Sequence, residues 1–168
     1  GQTAKEMFLK GEWLTPTLYG KPQFEKPILF YWLIEISYKI FGISEFAVRI
    51  PSAVFGFLGL VGIYLLGRLL FNNRAGIFSA VVLATSLEYL VLSIGCVTDM
   101  VLFTLHLFGL LFFFYGKNKK KNYFYFLSSA AFALATLTKG PIGLLLPVFV
   151  IILYLILTKD FAIFKNGA

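Results

Sequence analysis

The sequence predicts an all-α, polytopic transmembrane helical bundle with short interfacial helices on its outer face, and three observations carry that prediction. Hydrophobic residues make up 59% of the chain, aromatic ones 18% and charged ones only 14%, with a mean hydropathy of +0.84. A globular domain averages roughly 45–50% apolar and about 25% charged. The apolar residues fall into runs of helical length, the longest able to cross about 30 Å of hydrocarbon at roughly 1.5 Å per residue. The basic residues, which give a formal charge of +7, gather in the segments between those runs. That placement suits anionic headgroups and topology control rather than a nucleic-acid groove. Cys96 is the only cysteine, so no internal disulfide can form.

Residues 1–26 are mixed and polar, broken by Pro16, Gly20 and Pro22, with a short helix expected over 4–9. Pro27 suits a helix start. The run 27–41 is too short to span and carries Glu35 and Lys39 at i,i+4, so it reads as a helix lying on the membrane. Residues 1–46 are therefore expected to form an outer loop with interfacial helices, and residues 47–168 the membrane region. The first span is expected over 47–71, followed by the tight loop Asn72-Asn73-Arg74. A second is expected over 75–95 and a third over 100–116. The basic loop Lys117-Asn118-Lys119-Lys120-Lys121-Asn122 precedes a fourth over 123–138 and a fifth over 141–157. The last three lie near the ~17-residue lower limit for crossing. Gly56, Gly59 and Gly62, with Ser52, put small residues on the first span, a pattern of close helix packing.

Five crossings alternate sides, and the positive-inside rule makes the side of Arg68, Arg74, Lys117 to Lys121, Lys159 and Lys165 cytoplasmic. Glu25, Lys26, Asp99 and Lys139 then share the outer face, each at a span or helix terminus. Lys26 precedes a proline at a helix start, so a bound anion would meet an ammonium and the positive end of a helix dipole; Lys139 abuts Pro141 in the same manner. Two cations and two carboxylates around one cavity suit a phosphate-bearing lipid with a proton transfer or a metal. The same residues also fit ordinary interfacial charges. His106, seven residues after Asp99, reads as a buried histidine hydrogen-bonded to a neighbouring helix rather than as a relay. Glu88 is an acid within the second span. The sequence contains no Walker loop, dinucleotide fingerprint, zinc-type spacing or hydrolase elbow.

Several strings together resemble a known family. Ala4-Lys5-Glu6-Met7, Gly11-Glu12-Trp13-Leu14-Thr15-Pro16, Phe24-Glu25-Lys26-Pro27 and Tyr31-Trp32-Leu33 are similar to the first outer loop of a bacterial membrane glycosyltransferase family. That family comprises the lipid A aminoarabinose transferases, akin to the protein O-mannosyltransferases. The similarity continues through Ser44-Glu45-Phe46-Ala47, Arg49-Ile50-Pro51-Ser52, Thr98-Asp99-Met100 and Thr138-Lys139-Gly140-Pro141. The resemblance implies a GT-C type fold. It also implies transfer of a sugar from a polyprenyl-phosphate donor to lipid A, another glycolipid or a protein, at the periplasmic face of the bacterial inner membrane. By the same resemblance Lys26 contacts the carrier phosphate and Glu25 sits beside it, at a position tied to a divalent metal. Asp99 lines the cavity and Lys139 lies at its edge. The family's acidic pair, whose Asp is the expected general base, falls before Gly1, so the resemblance implies an internal fragment, inactive alone. Two positions depart from the pattern: Lys26-Pro27-Ile28 replaces the usual Lys-Pro-Pro, and Gln23 stands where an aromatic is common.

The alternative is a transporter or flippase-like protein in which Glu88, Asp99 and His106 mark a polar pathway. Such a protein shows discontinuous spans or repeated halves, and the sequence displays neither. A non-catalytic scaffold gives no reason for Lys26, Asp99 and Lys139 to share a side.

Overall fold

In the computed structural model, which describes residues 1–23 and 26–159, the chain begins with α1 (Gln2–Lys10). This helix stops where Gly11 turns left-handed, at φ 69°, and the Gly11 and Glu12 amides return to the Phe8 and Met7 carbonyls. A two-strand antiparallel ribbon follows, β1 (Thr17–Leu18) against β2 (Lys21–Pro22). Its two connecting residues, Tyr19 and Gly20, both have positive φ, the backbone hand that matches strand twist in a tight hairpin. This ribbon is a small addition to the predicted all-helical chain. Next comes α2 (Leu29–Phe41). Ala4 and Met7 of α1, with Phe30, Tyr31, Ile34 and Tyr38 of α2, form one buried apolar cluster that also takes in Ala47 and Val101. The outer helices are thus docked onto the bundle.

Ser44 is extended and its hydroxyl accepts the Ala47 amide at 3.2 Å, so α3 (Glu45–Leu70) starts on a side-chain cap. Pro51 lies inside this helix. A proline has no amide to offer the carbonyl four residues back. That carbonyl belongs to Ala47, and the Ser37 hydroxyl of α2 donates to it at 2.6 Å. The predicted stripe of small residues does pack. Ser52, Gly56, Gly59 and Gly62 are buried, and a carbon added at the three glycines would strike Ser93, Tyr89 or Leu107.

The second span corrects the sequence-based expectation. The run expected as one helix over 75–95 is two, α4 (Asn73–Ala84) and α5 (Leu87–Ile94), bent by 67° between them. No proline or glycine marks the break. The Thr85 hydroxyl turns back to the Val81 and Val82 carbonyls, and Ser86 takes an extended conformation. Tyr89, the one buried residue of α5, hydrogen-bonds through its hydroxyl to the Gly56 carbonyl at 2.6 Å.

The remaining elements are α6 (Asp99–Lys119), α7 (Asn122–Lys139) and α8 (Ile142–Thr158). The basic stretch expected as a loop is mostly helix, because Lys117 to Lys119 belong to the last turn of α6. The start of α6 lies at the end of α7, so these two run antiparallel, whereas α6 and α8 run in the same direction and meet at their C-terminal ends. Asp99 meets Lys139 at one end, and the Lys117 ammonium lies over the Tyr154 ring at the other. Pro147 inside α8 frees the Gly143 carbonyl, and His106 Nε2 lies 2.9 Å from that oxygen. Of the five expected crossings, α3 and α6 are long and apolar enough by themselves, and α4 with α5 would be as one broken span. The apolar α8 is shorter, at 17 residues. Ser128, Ser129, Thr136 and Thr138 lower the hydropathy of α7.

Candidate functional site

Helix ends decide where the charges stand. Asp99 opens α6, where a carboxylate meets the positive end of the helix dipole, and Lys139 closes α7, where an ammonium meets the negative end. Packing of α6 against α7 in opposite directions brings the two together, and the chain then turns away into α8 through Gly140 at φ 73°. Lys139 Nζ lies 2.6 Å from Asp99 Oδ1, with both side chains close to half exposed. A pair so open to solvent contributes at most about 1 kcal/mol to stability. Its interest is therefore positional.

Lys26 lies across from that turn. It is exposed, and with Leu14, Pro16, Pro27, Lys139 and Pro141 it lines a cavity of about 400 Å³. Two lysines and the N-termini of two helices, α2 after Pro27-Ile28 and α8 after Gly140-Pro141, converge on this space. Backbone amides at a helix start and an adjacent ammonium are the recurrent elements of an anion site. The structure therefore brings three of the four predicted site residues together: Lys26 and Lys139 on one cavity, and Asp99 through its ion pair. Glu25, the fourth, lies outside the described residues. Among the described residues no three His, Cys, Asp or Glu side chains converge as metal ligands, so the described donors do not make a metal site.

A second cavity of about 350 Å³ is lined by Asp99, whose ion-pair partner Lys139 lines the first. Leu83, Ser86, Glu88, Tyr89, His106 and Ile142 are among its walls. It opens where α4 and α5 bend, so it was not legible in a run read as straight. Glu88 is exposed on the first turn of α5 and faces this space. His106 is buried and bonded to the neighbouring helix, as its spacing suggested.

Sequence reasoning missed the supports of the cavity wall. Glu6 accepts the Tyr19 and Gly20 amides at 3.0 and 3.2 Å, and the Gln2 side-chain amide donates to it at 3.1 Å. These bonds hold its carboxyl below the usual glutamate range. Trp32 Nε1 donates to the Trp13 carbonyl at 2.6 Å, and the Gln23 amide to the Pro16 carbonyl at 2.8 Å. The Lys39 ammonium, four residues after Glu35, lies 4.2 Å from the centre of the Trp13 ring. The available signals were Trp13 and Gly20 in the polar stretch and the family-like strings that hold Glu6 and Trp32.

Residues 25–166 match the family model described as dolichyl-phosphate-mannose-protein mannosyltransferase. Over 157 residues the chain is 33% identical to an uncharacterized protein of Aquifex aeolicus, covering 92% of this chain and 31% of that protein. Over 166 residues it is 32% identical to an undecaprenyl phosphate-alpha-4-amino-4-deoxy-L-arabinose arabinosyl transferase of Proteus mirabilis, covering 95% of this chain and 30% of the other. The chain thus spans about a third of the length of these relatives. Crystal structures of ArnT from Cupriavidus metallidurans, apo and bound to undecaprenyl phosphate, superpose with a TM-score of 0.91 at 28% identity. Each superposition covers 98% of this chain, and 32% and 31% of the two ArnT chains respectively.

Proposed function

The chain belongs to the dolichyl-phosphate-mannose-protein mannosyltransferase family, and on that premise we propose that it forms the donor-phosphate side of a membrane glycosyltransferase. The enzyme moves a sugar from a polyprenyl-phosphate carrier to a lipid or protein acceptor. The observation that carries this reading is the cavity that both Lys26 and Lys139 line, beside the starts of α2 and α8. When the bond between the sugar's anomeric carbon and the phosphate oxygen breaks, the electron pair leaves on that oxygen. Two ammonium groups in reach of it stabilise the departing charge more than the bound donor, which is the requirement for catalysis. Asp99 keeps Lys139 in place before the carrier arrives and lines the second cavity, from which an acceptor can approach. Acceptor identity, whether lipid A, another glycolipid or a protein, belongs to this reading as a class only. The bacterial inner membrane, with the cavity on its periplasmic side, fits the basic ends of α3, α6 and α8 lying opposite the Asp99–Lys139 end.

Replacing Lys26 by alanine in the intact protein tests the assignment. Transfer should fall by about a hundredfold or more, with membrane insertion unchanged. Wild-type transfer in that variant removes the phosphate-contact role.

The bend between α4 and α5 favours a second reading, since discontinuous spans are a mark of transporters. Reconstituted protein that moves the carrier across a bilayer while transferring no sugar would replace the transferase with a flippase.

A further inference from the structure

The wall of the two-lysine cavity is irregular chain, and something must hold it at a fixed distance from Lys139. Leu14 and Pro16 form that wall and Lys26 completes it. Among the described residues between Leu14 and Lys26, the regular structure is the pair of two-residue strands of the ribbon, too short to be stable alone. The ribbon is pinned at its tip by one side chain. Tyr19 and Gly20, both left-handed at φ 52° and 76°, direct successive amides toward the Glu6 carboxylate, one onto each oxygen. Glu6 in turn sits on α1, whose Ala4 and Met7 are fully buried in the cluster shared with α2, α3 and α6. A continuous path therefore runs from the buried cluster through α1 and Glu6 to the ribbon tip. From there it runs down the ribbon to Pro16, whose carbonyl the Gln23 amide closes.

We infer that Glu6 is a positioning residue for the donor: its carboxylate fixes the ribbon whose base forms the wall of the Lys26–Lys139 cavity. This role rests on the donor-pocket reading above. Glu6 touches no reacting atom. Its loss lets the wall carrying Leu14, Pro16 and Lys26 drift, and displacements of about 1 Å at such sites cost up to a hundredfold.

Two variants reach the same turn from opposite sides. Glu6→Gln keeps the shape of the side chain and removes its charge. Gly20→Ala leaves Glu6 intact and strains only the backbone, because an added carbon there meets nothing within 4 Å while φ stays at 76°. In the intact protein, equilibrium binding of undecaprenyl phosphate should weaken by about tenfold in each variant. The acceptor KM should not change, the thermal midpoint should fall only slightly because both changes act on one turn, and amide exchange should accelerate at Tyr19 and Gly20. Wild-type carrier affinity in either variant overturns the positioning role. So does a lowered thermal midpoint with an unchanged ratio of donor to acceptor KM, which would assign Glu6 to general stability. A wild-type protein that fails to bind the carrier overturns the donor-pocket reading itself, and the positioning role with it.

Discussion

The outer segment and the membrane bundle are held together by different means. In the outer segment, α1 and α2 bury Ala4, Met7, Ile34 and Tyr38 together, and polar side chains clamp irregular backbone at Tyr19, Gly20 and Trp13. In the bundle, glycines let helices approach until backbone meets side chain or backbone meets backbone. Gly143 faces the Ala135–Thr136 peptide so closely that no side chain fits, and Gly67 and Gly76 face each other. Hydroxyls then bond to carbonyls across helices: Tyr89 to Gly56, Thr104 to Phe55, Ser128 to Gly109. Hydrocarbon gives helices no hydrophobic reason to associate, so close contact and hydrogen bonds must do so. Next to water, burial of apolar surface does the same task. One chain thus uses two sets of forces in two of its regions.

That contrast breaks most visibly at Gly143. Gly143→Leu should separate α7 from α8, with a cost of about 3 kcal/mol, read as loss of monodisperse protein in detergent. Recovery of normal protein would mean the close approach is dispensable. Met7→Ala should cost roughly 2 kcal/mol and act in the other region only. The outer segment should become sensitive to protease while the bundle stays resistant, and equal sensitivity of both would erase the distinction. Tyr89→Phe, which removes one hydroxyl bond inside the bundle, should lower stability by about 1 kcal/mol, measured as a shift in the unfolding midpoint.

The smallest effect separates two carboxylates of the outer segment. Burial pushes the Glu35 carboxyl up, against a weaker opposing pull from Lys39, and its Oε1 has no hydrogen-bond partner. A raised carboxyl is bound to its proton more tightly in the folded state. Its contribution is therefore present at low pH and lost as pH rises through the folded value. Glu6 is held down by the Tyr19 amide first, so its contribution is present above the ordinary range and lost as pH falls through its folded value. Glu35→Gln should thus stabilise the outer segment at neutral pH, by less than about 1 kcal/mol, and flatten its loss of amide protection with rising pH. An unchanged pH profile would show that the Glu35 proton does not differ between folded and unfolded protein.

Much of this architecture was readable in the string, for physical reasons that differ by element. Ser44 before an apolar run announces the start of α3 because a hydroxyl there caps free amides. Alternating crossings, counted from the basic segments, put Asp99 and Lys139 at one end, and they are ion-paired. The stripe of glycines on α3 implied a close neighbour and has one. The break at Thr85-Ser86 left no such trace, since hydroxyl bonds to the previous turn and the distant anchor at Tyr89 produce it within an apolar run. The Glu6 clamp joins residues 13 and 14 positions apart through backbone amides, which carry no side-chain signature. The Lys39 ammonium lies over the Trp13 ring, a contact between residues 26 positions apart that i,i+4 spacing does not reveal.

Both prolines inside helices have a side chain from another helix bonded to the carbonyl they release, Ser37 at Ala47 and His106 at Gly143. A carbonyl oxygen can only accept, so the imidazole of His106 must carry a hydrogen on Nε2, and a neutral ring keeps its lone pair on Nδ1. The tautomer of this ring is thereby dictated by a missing amide on a different helix. Restoring that amide with Pro147→Ala would give this oxygen a second donor, which its two lone pairs can take alongside Nε2.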